Sequence, residues 1–87
     1  MHQLIFGNQF LRSAEKLNGK IKSKLKLSLD ILSKNPFDPK LETKSLSGKL
    51  AGYYSFRLGK DYRVIFKFTS DSTIFLLKVG NRKDIYR

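Results

Sequence analysis

The sequence predicts an α+β fold, in which a short N-terminal strand and a two-helix hairpin pack on one face of a three- to four-stranded antiparallel sheet. Two observations lead to this prediction. Apolar residues recur at helical spacing between residues 8 and 34. After residue 53, two hydrophobic runs alternate with charged residues and are joined by short turns. With 87 residues, the chain is expected to form a single domain, 1–87, with one modest core.

The N-terminal segment is predicted to form a strand and a first helix. The apolar stretch His2–Phe6 is suited to a strand. Asn8 is a favourable N-cap residue for a helix over residues 9–17, whose apolar residues lie on one side. The pair Asn18-Gly19 then breaks the pattern, and its glycine suits a left-handed helix cap.

A second helix is predicted over Lys20–Lys34, because apolar residues recur there every three or four positions. This inward stripe consists of Ile21, Leu25, Ser28, Leu29 and Leu32. Asn35-Pro36 stops the helix, since the residue before a proline avoids the helical region. Residues 35–52 contain both prolines and are expected to form a loop.

The register of the first hairpin follows from its turn. If Gly59–Asp61 is a three-residue loop, Leu58 faces Tyr62 and Arg57 faces Arg63. A shift of one residue would pair Leu58 with Arg63 and would mix apolar and charged side chains on both faces. The sequence therefore predicts a single register for this hairpin.

The second hairpin is predicted to turn at Ser70-Asp71. This turn pairs Arg63 with Lys78 and Phe66 with Phe75. The two registers together align three cations in one row: Arg57, Arg63 and Lys78. Like charges directly opposite one another destabilise a sheet by about 0.2–1 kcal/mol per pair. The row therefore favours a phosphate-binding site, and a solvated outer face is the alternative.

The charge balance also indicates a polyanionic partner. The chain has 18 Lys and Arg against 7 Asp and Glu, a formal charge of +11. Such a balance is typical of proteins that bind RNA, DNA, an anionic membrane or an acidic protein. No apolar run approaches the ~20 residues of a membrane span, and the first residues are too short and too weakly basic for a signal peptide. A soluble cytoplasmic protein is expected.

Few residue types are present for catalysis. The chain has no cysteine and one histidine, His2, no glycine-rich phosphate loop, and no evident pair of carboxylates. Arginine, lysine and tyrosine remain. They suffice to cut RNA, because its own 2′-hydroxyl is the nucleophile and the protein only has to orient it and stabilise charge on the phosphate. No metal or cofactor is expected.

Four short motifs form a combined pattern in the second half of the chain. They are Lys44-x-Leu46-x-Gly48-x-Leu50-x-Gly52, Tyr54-x-Phe56-Arg57-x-Gly59, Tyr62-Arg63-Val64-Ile65-Phe66 and Val79-Gly80-Asn81-Arg82-Lys83-Asp84-Ile85-Tyr86. With these motifs the chain resembles the RelE/ParE superfamily of toxins from bacterial type II toxin–antitoxin systems. The resemblance covers nearly the whole chain and includes the predicted fold.

The resemblance implies a small toxin that is neutralised by a cognate antitoxin protein. Toxins of the RelE branch enter the ribosomal A site and cut the messenger RNA there. By position, Arg63 matches the arginine that stabilises the transition-state phosphate, and Arg82 matches a second arginine that steadies the phosphate and the leaving oxygen. Tyr86 matches the C-terminal tyrosine that orients or activates the 2′-hydroxyl and stacks on a base.

Five further cations are predicted to bind RNA: Arg57, Lys78, Lys44, Lys49 and Lys83. Lys83 and Arg87 also fit a plain basic tail. The chain departs from the family pattern at Asn81, where many members have histidine, so a histidine-driven mechanism is excluded. The resemblance thus leaves the general acid and base unassigned.

Three functions are compatible with these features. The first is a metal-independent, ribosome-dependent messenger RNA endoribonuclease. The second is a ParE-like inhibitor that binds DNA gyrase and has no nuclease activity, and the third is a nucleic-acid-binding module without toxicity. The joint presence of Arg63, Arg82 and Tyr86 favours the endoribonuclease.

Overall fold

The computed structural model describes residues 1–86, and Arg87, one of the predicted tail residues, lies outside them. The described chain contains five strands, two α-helices and two short 3₁₀ helices. In chain order they are β1 (Gln3–Phe6), α1 (Asn8–Glu15), α2 (Gly19–Lys34), a 3₁₀ helix (Pro39–Leu41), β2 (Lys44–Ser45), a 3₁₀ helix (Gly48–Leu50), β3 (Tyr54–Leu58), β4 (Tyr62–Ser70) and β5 (Thr73–Asn81). No helix within residues 1–86 is long and apolar enough to cross a bilayer.

The strands form one mixed sheet in the order β1-β5-β4-β3-β2. β1 lies parallel to β5, and the other neighbours are antiparallel. The predicted α+β class is confirmed, but the sheet has five strands, not three or four, and is not entirely antiparallel. Two parallel strands need a long connection between them. The segment from α1 to β4 provides this connection between β1 and β5.

Both helices cover one face of the sheet and enclose the hydrophobic core. The predicted inward stripe of α2 is confirmed, since Leu25 and Leu32 are buried and Ile21 and Leu29 pack against the core. The buried core residues from the helices and loops are Phe10, Leu17, Leu25, Leu32 and Leu41, and those from the sheet are Phe56, Leu58, Val64, Phe66, Ile74, Leu76 and Val79.

The junction between the helices differs from the prediction. Gly7, not Asn8, is the N-cap of α1, and no side chain caps that helix. Asn18 caps α2, because its Oδ1 accepts a hydrogen bond from the Ile21 N–H at 2.9 Å. Gly19 is therefore the first residue of α2 and not a left-handed cap of α1. Asparagine is among the preferred N-cap residues, and the second helix uses it.

The predicted loop over residues 35–52 contains more structure than expected. It includes both 3₁₀ helices and the edge strand β2. Asp38 caps the first of these helices, where its Oδ1 accepts from the Lys40 N–H at 2.9 Å. β2 is only two residues long, which is too short to show a recognisable alternation in the sequence.

The predicted register between β3 and β4 is confirmed. Leu58 pairs with Tyr62, and Arg57 pairs with Arg63. Gly59 begins the connecting turn at φ +64°, in the left-handed region that glycine adopts at little cost.

The predicted register between β4 and β5 is wrong. Arg63 pairs with Gly80 instead of Lys78, and Phe66 pairs with Leu76 instead of Phe75. The turn lies one residue later than predicted, because Ser70 pairs with Thr73. A register shift at the Ile65/Phe66 step makes Leu77 an extra residue on β5. Such a bulge changes which side chains face the core on either side of it.

Candidate functional site

The sheet face opposite the helices, here called the open face, carries most of the predicted site residues. Val64 and Phe66 belong to the core on the helix side, so the intervening Ile65 and the adjacent Arg63 point to the open face. Residues paired across neighbouring strands point to the same face. The open face therefore has two adjacent rows: Arg57–Arg63–Gly80, and Lys44–Ser55–Ile65–Lys78.

The cations of the open face do not form the single row that the sequence predicts. Arg57 and Arg63 are directly paired, but Lys78 lies opposite Ile65 in the second row. Lys44 occupies the other end of that second row. The rows are about 7 Å apart, since a strand rises about 3.3 Å per residue. The four cations consequently surround the middle of the face instead of crossing it in a line.

The C-terminal segment turns back over the open face at Asn81. The Asn81 carbonyl accepts a hydrogen bond from the Ile85 N–H at 2.9 Å, and the Asn81 Oδ1 accepts one from the Lys83 N–H at 2.9 Å. Ile85 is 4% exposed and packs on Gly80, where a Cβ atom would lie 3.2 Å from the Ile85 Cδ1. The absence of a side chain at Gly80 thus leaves room for Ile85.

Tyr86 is placed by this turn at the middle of the open face. Its hydroxyl donates a hydrogen bond to the Ser55 Oγ at 3.1 Å. Ser55 is 1% exposed, whereas Tyr86 is 40% exposed. The phenol oxygen is therefore fixed on the sheet while part of the ring stays accessible to a ligand.

The two paired arginines are held near the β3–β4 turn. Arg63 Nη1 donates to the carbonyl oxygens of Tyr62 at 2.8 Å and Lys60 at 3.4 Å. Arg57 Nε donates to the Gly59 carbonyl at 3.1 Å, and its Nη1 forms an ion pair with Glu42 at 3.2 Å. Arg63 therefore keeps its charge for an anion, because carbonyls do not neutralise it, whereas Glu42 partly offsets the charge of Arg57.

Arg82 and Lys83 lie in the exposed turn after β5. The Arg82 N–H donates to the Asp61 carbonyl at 2.7 Å, which fastens this residue to the same β3–β4 turn that holds Arg63. Lys49 lies at the opposite edge of the sheet, in the 3₁₀ helix before β3, and lines a pocket together with Lys44 and Tyr86. The predicted site residues therefore form two groups, one at the β3–β4 turn and one beside β2, and Lys78 on β5 belongs to neither.

The only histidine lies apart from these groups. The His2 ring packs 5.9 Å from the ring of Phe68, which contacts the core on the helix side. Within residues 1–86, no three histidine or carboxylate side chains come together as a metal-binding group.

Residues 4–86 match the family model described as the ParE toxin of the type II toxin–antitoxin system parDE. The chain belongs to this family. This match covers almost the whole chain and confirms the predicted membership of the RelE/ParE superfamily of toxins. No protein with a curated description matches the toxin.

Solved structures of similar fold include toxin–antitoxin complexes. The toxin is 25% identical to a chain of the Mycobacterium tuberculosis RelBE2 complex, with a TM-score of 0.77 over 93% of this chain and 98% of that chain. It is 27% identical to a chain of the Pyrococcus horikoshii RelE–RelB complex, with a TM-score of 0.78 over 95% and 97% of the two chains. YafQ from Escherichia coli, at 19% identity, shares the fold over the full length of both chains, with a TM-score of 0.82.

Sequence reasoning missed the contributions of Ser55 and Ile85 to the placement of Tyr86. Both are buried beneath or within the C-terminal segment of the toxin. A signal was present for Ser55, because it is a small polar residue between Tyr54 and Phe56 in a strand that is otherwise suited to a packed sheet. No comparable signal marks Ile85, since its contact depends on the turn at Asn81.

Proposed function

We propose that this toxin is a ribosome-dependent endoribonuclease that cuts messenger RNA in the A site and so stops translation in the cytoplasm. The observation that supports this proposal is the position of the Tyr86 hydroxyl. It is held by Ser55 at the middle of a sheet face whose neighbouring positions carry Arg63, Lys44 and Lys78. A hydroxyl-bearing aromatic surrounded by cations is suited to a ribose and its adjoining phosphate.

The proposed reaction uses the substrate's own 2′-hydroxyl. The 2′-oxygen attacks the adjacent phosphorus, the bond from phosphorus to the 5′-oxygen breaks, and a 2′,3′-cyclic phosphate and a 5′-hydroxyl result. Tyr86 orients the attacking hydroxyl. Arg63 stabilises the charge that develops on the phosphate oxygens, and Arg82 steadies the phosphate and the departing 5′-oxygen. The proton lost from the 2′-hydroxyl is balanced by the proton that the 5′-oxygen gains.

The remaining cations are proposed to hold the RNA backbone. Lys44 and Lys78 end the row that contains Ser55, and Arg57 lies beside Arg63. These residues, with Lys49 and Lys83, would contact messenger or ribosomal phosphates. Binding to phosphates releases counterions, so the affinity should fall steeply as salt rises.

A cognate antitoxin is the proposed protein partner. The similar chains from M. tuberculosis and P. horikoshii were solved in RelB-containing complexes. With a formal charge of +11, this toxin is suited to a partner that presents acidic residues.

Cleavage can be tested with purified toxin and ribosomes programmed with a defined messenger, followed by mapping of the new 5′ ends by primer extension. The wild-type toxin should cut within the A-site codon. Arg63→Ala and Arg82→Ala should abolish cleavage while circular dichroism shows a folded protein. Arg12→Ala, at an exposed position on α1, is the matched control and should retain cleavage. An intact messenger with the wild-type toxin would contradict the proposal.

Inhibition of DNA gyrase is the second candidate, and the ParE description of the matching family supports it. A gyrase supercoiling assay separates the two functions. Blocked supercoiling together with an intact messenger would assign the toxin to gyrase. Normal supercoiling together with A-site cleavage would assign it to messenger RNA.

A further inference from the structure

A third row of side chains crosses the open face, beside the two that carry the predicted site residues. Ile5 pairs with Phe75, and Phe75 pairs with Lys67. Tyr53, which precedes β3, adds the fourth side chain, since the Lys67 Nζ lies 5.2 Å from the centre of its ring. These four residues are here called the aromatic row. On β4 the row lies about 7 Å from the row that contains Ile65, because residues 65 and 67 are two positions apart.

The aromatic row is accessible from solvent. Phe66 and Leu76 belong to the core on the helix side. The adjacent Lys67 and Phe75 therefore point to the open face. Ile5 is 44% exposed, and the other three side chains of the row are half-buried. The row thus presents two partly exposed aromatic rings with a cation close to both.

The two rings are held in place without a ligand. The Lys67 Nζ lies 5.2 Å from the centre of the Tyr53 ring and 5.8 Å from that of the Phe75 ring, both within the ~6 Å of a cation–π interaction. A Cβ atom at Gly7 would lie 2.7 Å from the Phe75 Cζ, so the absence of a side chain there makes room for this ring. The Leu46 N–H donates to the Tyr53 carbonyl at 2.9 Å. Such preorganisation lowers the entropy cost of binding.

We infer that the aromatic row binds the nucleotide immediately 5′ of the one whose 2′-hydroxyl attacks, with its base on the rings of Tyr53 and Phe75 and a backbone phosphate at Lys67. The inference rests on the proposed function, in which the attacking hydroxyl meets Tyr86 and the scissile phosphate meets Arg63. The Tyr86 hydroxyl lies on the row between that of Arg63 and the aromatic row. Because the scissile phosphate follows the attacking hydroxyl, an RNA strand that passes from the aromatic row to Arg63 runs 5′ to 3′.

The combination of rings and a cation favours RNA over an apolar protein partner. An apolar partner would bury the ammonium of Lys67 without a counterion, and a buried unpaired charge is strongly unfavourable. Single-stranded RNA offers a base to the rings and a phosphate to the ammonium. None of the four residues is acidic, and the neighbouring row adds Lys44 and Lys78. Stacking tolerates all four bases, so the row should add affinity without a sequence preference.

The first test measures binding without ribosomes or cleavage. The probe is an RNA trinucleotide whose central nucleotide is 2′-deoxy, so that the bond on its 3′ side cannot be cut. Two further probes lack only the 5′ base or only the 3′ base, and NMR titration gives the affinities. The intact probe should bind about fivefold or more tightly than the probe without its 5′ base and should shift the amides of the aromatic row. Equal affinities for these two probes, or an equal loss when the 3′ base is missing, would overturn the inference.

The second test removes the rings and retains their apolar bulk. Tyr53→Leu and Phe75→Leu should each lower the affinity ratio between the intact probe and the probe without its 5′ base. Phe37→Leu is the matched control, because Phe37 is a 56% exposed aromatic that packs against Phe68 on the helix side, and it should keep the wild-type ratio. A wild-type ratio in both row variants would overturn the inference, as would a toxin dimer that Phe75→Leu dissociates while the ratio stays constant.

The third test concerns the cation and leaves both rings in place. Lys67→Gln should reduce the salt slope of trinucleotide binding by about 0.7, the value for one phosphate contact on a single strand. Lys26→Gln, at an exposed position on α2, is the control and should keep the slope. An unchanged slope in Lys67→Gln would contradict the phosphate contact.

Failure of the inference differs from failure of the proposed function. An intact messenger on programmed ribosomes, together with tighter binding of the intact trinucleotide, would overturn the proposed function and leave the aromatic row supported as an RNA site. Cleavage of the messenger together with equal affinities for the intact probe and the probe without its 5′ base would overturn the inference alone.

Discussion

The hydrogen bond between Tyr86 and Ser55 should contribute measurably to stability. Ser55→Ala removes the acceptor of a 3.1 Å hydrogen bond at a position that is 1% exposed. A neutral hydrogen bond contributes a net of about 0.5–1.5 kcal/mol. Because Tyr86 is 40% exposed, water can hydrate its hydroxyl in the variant. The expected loss of unfolding free energy is therefore at the lower end, about 0.5–1 kcal/mol.

A double-mutant cycle isolates this interaction. Tyr86→Phe removes the donor and leaves the ring in place, and the double variant removes both partners. Urea unfolding gives the loss of unfolding free energy in each variant. The sum of the losses in the two single variants should exceed the loss in the double variant by about 0.5–1 kcal/mol, and the m-values should not change. Additive losses would refute the reasoning, because they would mean that the two hydroxyls do not interact in solution.

The same four proteins test the role of the bond in cleavage. If Ser55 acts only by holding the Tyr86 hydroxyl, Ser55→Ala should lower the cleavage rate about two- to fivefold, the equivalent of about 0.5–1 kcal/mol. The apparent affinity for programmed ribosomes should stay constant. In the Tyr86→Phe background, Ser55→Ala should have no further effect on the rate. An equal decrease in both backgrounds would show that Ser55 acts by another route.

Three further predictions concern the turn, the C-terminal segment and the cations. Gly59→Ala should destabilise the toxin by about 1–2 kcal/mol, because Gly59 has a φ of +64°. Gly19→Ala, at the start of α2, is the control and should not destabilise it. Thermal unfolding measures both variants. Ile85→Ala should lower the free energy of unfolding by about 2–3 kcal/mol. This is low in the range for large core residues, because the C-terminal segment can detach from the sheet. Hydrogen exchange should accordingly become faster in residues 82–86. Arg63→Ala should reduce the salt slope of single-stranded RNA binding by about 0.7, measured by fluorescence anisotropy.

The parts of the fold that depend on local patterns could be predicted from the sequence. The inward stripe of α2 follows helical periodicity, and the β3–β4 register follows from a short turn flanked by alternating residues. In the β3–β4 hairpin, Leu58, Tyr62 and the Arg57–Arg63 pair lie where the sequence places them. The turn and both faces require the same register, so the prediction had only one consistent solution.

The β4–β5 register could not be predicted in the same way. Residues 74–77 form a continuous apolar run, and such a run gives no alternation from which to infer which side chains face the core. The bulge at Leu77 allows Leu76 and Val79 both to be buried in the core although they are three residues apart. A regular strand would place them on opposite faces. The parallel pairing of β1 with β5 likewise depends on long-range contacts that local sequence patterns do not encode.

The corrected register explains how the open face can hold its cations together with the C-terminal segment. A regular hairpin with Lys78 opposite Arg63 would place Arg57, Arg63 and Lys78 side by side. Such neighbouring like charges would destabilise the sheet. The observed register instead places Gly80 opposite Arg63 and Ile65 opposite Lys78. Gly80 leaves the space that Ile85 fills, and this packing brings the next residue, Tyr86, to Ser55. This register thus separates Lys78 from the two arginines and also positions the tyrosine hydroxyl among the cations. A Gly80→Val variant should therefore lose the position of Tyr86 while its cations stay in place, which would appear as retained RNA affinity with a lower cleavage rate.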